Sequence, residues 1–184
     1  LISLILMSKT YITWEEIQQD TTYLANEISH LNFSCIIGVA NGGMIPATLI
    51  AKQLKINKLL SCNLKSYQED KPREGAHSHN DVVKKISFPD WSELREEDKV
   101  LIVDDLVDVG LTLKTIKQYN DIINHEQPEK NWVFVTLYNK SRSIFKPDYT
   151  VREVDNDEWI VFPWEETAPA RRIRLNYIYP SSVK

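Results

Sequence analysis

The stretch Val100-Leu-Ile-Val-Asp-Asp-Leu-Val-Asp-Val-Gly-Leu-Thr-Leu113 constrains this chain more than any other. Its four leading apolar residues read as a strand, over 99–105, buried on both faces, as in the middle of a parallel sheet. Such a strand delivers Asp104 and Asp105 to its carboxyl end, where open α/β sheets bind ligands. Residues 108–112 then form a tight loop against the start of a helix over about 111–123, and a helix N-terminus with free N–H groups favours phosphate. Carboxylates beside a phosphate cradle repel it unless they face something else. Ribose hydroxyls and a magnesium ion, which prefers oxygen ligands, are the natural partners.

The remaining elements fall into the alternation that such a strand demands. Thr13 and Glu16 form a capping-box pair, followed by Ile17, Leu24, Ile28 and Leu31 at helical spacing. An apolar run over 34–39 leads into Asn41-Gly42-Gly43, a helical stretch over about 44–54, and a strand over 59–67. A further strand is expected over 132–138. Strands alternating with helices predict an α/β fold, a central parallel sheet with helices on both faces. Residues 68–88 break the pattern with charged, polar and turn-forming residues, and a long insertion of this kind is often a lid over an active site. After Pro147 the chain turns to short strand-like pieces and aromatic turns.

Glycine points independently to the same edge. Only five occur; Gly38, Gly42 and Gly43 follow the first core strand and Gly110 follows the central one. Glycine serves where the backbone needs positive φ or a close approach to a ligand.

Composition narrows the function classes. At 184 residues, 42% hydrophobic and 26% charged, the chain suits one folded domain spanning 1–184. A net charge of −4 offers no basic surface for a nucleic-acid duplex, so small-molecule ligands fit better. Cys35 and Cys62 lie in strand-like runs and read as small buried hydrophobes. His77 and His79 are too few for a metal site and read as solvated loop. Leu1 to Leu6 is too short for a bilayer span and lacks a basic flank and a cleavage site, and Met7 is a candidate native start. With no membrane or secretion segment in view, a cytoplasmic protein is expected.

The run from Val100 to Leu113 resembles the phosphoribosyl pyrophosphate (PRPP) signature of the type I phosphoribosyltransferases. Other segments match in family order. Ile36-Ile-Gly-Val-Ala-Asn-Gly-Gly-Met-Ile-Pro-Ala looks like the pyrophosphate loop, and Ser66-Tyr67 like the start of the mobile catalytic loop. Phe134-Val-Thr-Leu-Tyr-Asn-Lys140 is similar to the purine-recognition strand. Trp159-Ile-Val-Phe-Pro-Trp-Glu165 is similar to the hood of the xanthine-guanine and related oxopurine enzymes.

The resemblance implies transfer of the 5-phosphoribosyl group of PRPP, the co-substrate, to hypoxanthine, guanine or xanthine in purine salvage, with Mg2+ as cofactor. It implies that Asp104 and Asp105 hold the ribose hydroxyls and the metal, through water, and that Asp108 is the acid-base residue at purine N7. Val109, Gly110, Leu111 and Thr112 would wrap the 5-phosphate with Asp108 at the head of the loop. Ala40, Asn41, Gly42 and Gly43 would form the pyrophosphate loop, with a strained, cis Ala40-Asn41 peptide. Ser66, Tyr67 and Arg73 would belong to the mobile loop at 68–88. Lys140, Trp159 and Ile160 would bind the base, under a small hood subdomain at about 149–184. A homo-oligomer, dimer or tetramer, is expected, and the charge and the lack of a spanning segment leave no nucleic-acid or membrane partner expected.

Two positions depart from the family pattern. Asn41 stands where a basic residue is usual, and Val109 where threonine is usual, which removes one charge and one hydroxyl directed at PRPP. A charge-assisted hydrogen bond contributes on the order of 1.5 to 3 kcal/mol. The alternative is a non-catalytic PRPP or nucleotide sensor on the same fold. Such a regulator would be expected to carry a nucleic-acid-binding surface or an extra domain. The C-terminal Arg171, Arg172 and Arg174 read instead as a solvated or interface face.

Overall fold

The computed structural model describes residues 8–66, 83–87, 94, 98–123 and 132–165. In chain order these form β1 (Ser8–Tyr11), α1 (Trp14–Ile28), a 3-10 turn (Ser29–Leu31), β2 (Cys35–Ala40), α2 (Met44–Leu54), β3 (Leu59–Ser66) and β4 (Val83–Ser87). They continue with β5 (Val100–Val107), α3 (Leu111–Ile123), β6 (Val133–Lys140), β7 (Tyr149–Val154) and β8 (Glu158–Val161).

Six strands make one sheet in the order β4-β3-β2-β5-β6-β7, and β1 pairs with β8 in a separate parallel pair. All neighbours in the large sheet are parallel except β3 and β4. From β2 the chain builds outward through β3 on one side, whereas β5, β6 and β7 build on the other. The strand order therefore reverses between β2 and β5, and the crevice at their carboxyl ends is where such sheets take ligands.

Side-chain alternation divides the core in two. Ile36, Leu101, Val103, Val135 and Leu137 face α1 and α2. Cys35, Ile37, Val39, Val100, Ile102 and Phe134 face the other way and pack with Leu113 and Ile116 of α3. Helices thus cover both faces of a parallel sheet, as the apolar runs lead one to expect.

Local signals explain where several elements begin. Thr13 Oγ1 accepts from the Glu16 amide at 3.2 Å while Glu16 Oε2 accepts from the Thr13 amide at 2.9 Å, the reciprocal capping box. Asp20 on α1, buried at 4% exposure, accepts from the Tyr138 hydroxyl at 3.0 Å and from Arg152 Nη2 at 2.9 Å, tying α1 to β6 and β7.

Three boundaries differ from the sequence expectation. β5 runs on to Val107, so Asp104 and Asp105 lie within the strand; its pairing with β6 continues through Leu106 opposite Tyr138 and Val107 opposite Asn139. The segment 68–88 is not loop throughout, because Val83–Ser87 adds an antiparallel edge strand to β3. That strand lies at the edge of the sheet, with β3 as its neighbour. Of the expected hood, Tyr149–Val154 closes the edge of the main sheet and Glu158–Val161 pairs with β1. Residues 166–184 lie outside the described residues. Among the described residues, no helix is long and apolar enough to cross a membrane.

Candidate active site

Two loops meet where the strand order reverses. The turn after β2 carries Ala40, Asn41, Gly42 and Gly43 into α2, and the Ala40-Asn41 peptide is cis, as the resemblance implies. Gly43 caps α2 with no side-chain hydrogen bond, and the Met44 and Ile45 amides donate to the Asn41 and Gly42 carbonyls, each at 3.2 Å. A Cβ on Gly43 would come within 2.6 Å of the Val103 carbonyl and 2.9 Å of Asp104 Cα. One on Gly42 would overlap the Asp105 carboxylate. Only glycine lets the turn after β2 approach β5 this closely.

Asp104 is buried and Asp105 partly so. Asp104 Oδ1 accepts from the Asp105 amide at 3.0 Å and Asp105 Oδ1 from the Leu106 amide at 2.9 Å. Burial, and then the charge of Asp105, hold the Asp104 carboxyl well above the usual carboxylate range. Burial raises Asp105 as well, with a smaller contribution from the charge of Glu165. Neither forms an ion pair among the described residues. Two carboxylates kept dry and near each other without a countercharge are suited to an external cation or to ribose hydroxyls.

Beyond β5, Asp108, Val109 and Gly110 lead into α3. Gly110 has φ +87°, a conformation that disfavours any side chain, and a Cβ there would meet Ser143 Oγ at 2.5 Å. The Ile144 amide donates to the Val109 carbonyl at 2.9 Å, so the loop after β6 buttresses this one. Leu111 and Thr112 open α3, whose first amides have no partner within the helix.

Lys140 ends β6 with its side chain buried, and its Nζ lies 3.4 Å from Asp108 Oδ1 and 3.4 Å from the Asn156 carbonyl. Trp159 on β8 is 52% exposed and offers its ring to solvent, whereas Ile160 beside it is buried. The expected 5-phosphate, pyrophosphate and ribose residues thus come together at one edge, with Lys140 at Asp108. Of the expected mobile-loop residues, Ser66 ends β3, while Tyr67 and Arg73 lie outside the described residues.

The phosphoribosyl transferase domain model matches residues 9–171, an interval containing both loops, the diacid and Lys140. The chain belongs to the phosphoribosyltransferase family. It is similar to the xanthine-guanine phosphoribosyltransferase of Ruegeria sp. (strain TM1040), 28% identical over 175 residues, covering 92% of this chain and 89% of that one. The enzyme of that name from Nitratidesulfovibrio vulgaris (strain DP4) is 33% identical over 155 residues, covering 84% and 83%. The crystal structure of purine phosphoribosyltransferase from Pyrococcus horikoshii Ot3 superposes with a TM-score of 0.66 at 31% identity, covering 86% of this chain and 95% of that one.

Within this phosphoribosyltransferase two residues that sequence reasoning passes over join the site. Arg142 binds Asp108 through Nε, at 2.8 Å, and Nη2, both on Oδ1. Asn156, in the turn between β7 and β8, accepts from the Arg142 amide at 2.8 Å through Oδ1 while its carbonyl faces Lys140. Asn156-Asp157 signals a turn and nothing more. Arg142 has no distinguishing spacing at all.

Proposed function

We propose that this chain transfers the 5-phosphoribosyl group of PRPP to an oxopurine, hypoxanthine, guanine or xanthine, releasing pyrophosphate and a nucleoside monophosphate for purine salvage. The observation that carries this reading is the 3.4 Å separation of Lys140 Nζ and Asp108 Oδ1. An oxopurine presents O6 and N7 side by side on one edge. A donor for O6 and an acceptor for a proton on N7 must therefore be neighbours, as Lys140 and Asp108 are. Trp159 supplies a face on which the ring can stack, and the backbone at Ile160 faces its 2-position.

In the reaction the purine N9 forms a bond to the anomeric carbon as the bond from that carbon to pyrophosphate breaks. The proton on N7 passes to Asp108, and the electron pair of the broken bond leaves with pyrophosphate. The anomeric carbon passes through an oxocarbenium-like state, as in other glycosyl chemistry. Amides of Gly42 and Gly43 face the growing charge on the leaving group, and those of Gly110 to Thr112 hold the 5-phosphate. Asp104 and Asp105 suit magnesium held through water, by donor type and by their unpaired charge. When bound, the metal supplies neutralisation of pyrophosphate charge. Asn41 and Val109 leave the backbone donors of both loops to carry more of the anion binding.

A single domain and assembly into a dimer or tetramer belong to the same proposal; the continuous match over 9–171 supports the first. The exposed Tyr11, Trp14 and Tyr23 offer apolar surface for the second, which sedimentation would test. For the reaction, PRPP and magnesium are incubated with hypoxanthine, guanine, xanthine, adenine and uracil, and nucleotide is measured. Turnover with at least one oxopurine and none with uracil is expected. Absence of product from all three oxopurines would overturn the reading.

A further inference from the structure

We infer that Arg142, seated by Asn156, is a positioning residue that fixes the orientation of the Asp108 carboxylate and so aims its uncontacted oxygen at the proton on purine N7. The inference rests on the oxopurine reading above.

The contacts on Asp108 are one-sided. Nε and Nη2 of Arg142 converge on Oδ1, and Lys140 Nζ approaches the same atom. Turning the carboxylate partway about its Cβ–Cγ bond would break the two guanidinium contacts together, since both converge on one oxygen, while a half-turn merely exchanges the two oxygens. Oδ1 is thereby committed to cations, and Oδ2 is the oxygen left for the base.

Arg142 is itself held by a chain of bonds. Its amide donates to Asn156 Oδ1 at 2.8 Å, and Ser141 Oγ donates to the same oxygen at 3.2 Å. The Asn156 carbonyl faces Lys140 Nζ at 3.4 Å. Two residues past Arg142, the Ile144 amide is bonded to Val109 in the phosphate loop. One turn, between β7 and β8, therefore sets the place of the cation meant for O6 and, through Arg142, of the carboxylate meant for N7.

Both partners are partly in solvent, with side-chain exposures of 35% for Arg142 and 45% for Asp108. Exposed ion pairs contribute little to stability. Loss of Arg142 should then leave the melting temperature nearly unchanged and be felt in turnover, where small misplacements of reacting groups cost up to ~10²-fold.

The experiment measures nucleotide formation over a range of PRPP concentrations, at saturating oxopurine and magnesium, for Arg142→Gln and Arg142→Lys, each alone and combined with Asp108→Asn. Arg142→Gln should lower kcat by about 10-fold to 10²-fold with KM for PRPP within about twofold. Because Arg142 acts through Asp108, adding either substitution to Asp108→Asn should cost nothing further. Arg142→Lys, which keeps the charge without the fork, should fall clearly short of the unmodified enzyme. Full activity in Arg142→Lys, or an equal fold-loss in both backgrounds, overturns the inference while leaving the oxopurine reading standing. An unmodified protein that makes no nucleotide with any oxopurine overturns both.

Discussion

Gly42, in the turn after β2, lies directly against the carboxylate of Asp105, so close that a single added carbon would overlap Asp105 Oδ2. The turn after β2 and the diacid on β5 are therefore one packed unit. Gly42→Ala must displace either the loop or Asp105, which Asp104 and the Leu106 amide hold in place. A displacement near 1 Å at a reacting centre costs about 10²-fold. We expect a loss of that order in kcat/KM for PRPP in a variant that remains folded by circular dichroism. A value within twofold of the parent would show that the contact is slack.

Asp104 is expected to trade stability for function. Its carboxyl is raised by burial and by Asp105, so the protonated form is favoured in the folded state. Stabilisation from such a group is complete below the unfolded carboxyl pKa, about 3.9, and is lost as pH rises through the folded value. Above the unfolded value the folded enzyme bears the cost of burying this group, either as a charge or as a carboxyl held protonated. Asp104→Asn removes that charge and keeps an oxygen for the Asp105 amide. Melted in EDTA without PRPP, it should match the parent near pH 4 and exceed it increasingly toward pH 8. A gain on the order of 1 kcal/mol would appear as about 2 to 4 °C for a chain of this size. Activity should be largely lost. A variant less stable than its parent at pH 8 would contradict the account.

Cys62 has the opposite character to a reactive thiol. It is fully buried, and burial followed by the nearby charge of Asp104 pushes it up to about 12. At pH 8 it therefore stays a thiol, where an exposed cysteine is already substantially ionised. Cys35 is equally buried. Alkylation of native protein at pH 8 should leave both thiols unlabelled over hours, and both should react once urea unfolds the chain. Rapid labelling of the native enzyme at Cys62 would show that β3 opens easily.

What the sequence discloses here is what is local. The Thr13 and Glu16 cap, the apolar run before Asp104 and the clustering of glycines each report on neighbours within a few positions, so the helices, core strands and both loops are legible. Strand order is not, because nothing near Cys35 states that it lies beside Val100. The edge strand at Val83–Ser87 is hidden for a related reason: its partner β3 supplies the pairing that its own lysine-rich sequence does not advertise. Arg142 and Asn156 are long-range in the same sense. Their roles depend on Asp108, 34 residues before Arg142, and on a turn 14 residues after it.

Lys140 gives the sharpest test of base recognition. It is the buried cation of the site, with its Nζ shared between Asp108 and the Asn156 carbonyl. Replacement by methionine keeps much of the stem and its packing in β6 but removes the donor proposed for O6. A hydrogen bond to a charged group contributes about 1.5 to 3 kcal/mol, equivalent to roughly 10-fold to 150-fold in rate or binding. Lys140→Met should lose that factor in kcat/KM for hypoxanthine, guanine and xanthine alike, since all three present the same oxygen. Adenine carries an amino group there and loses no acceptor, so any trace activity with it should be unchanged or slightly raised. The informative quantity is the ratio of oxopurine to adenine kcat/KM, because general damage to the site would lower both together. A ratio that stays constant on substitution would place the O6 contact elsewhere than on Lys140.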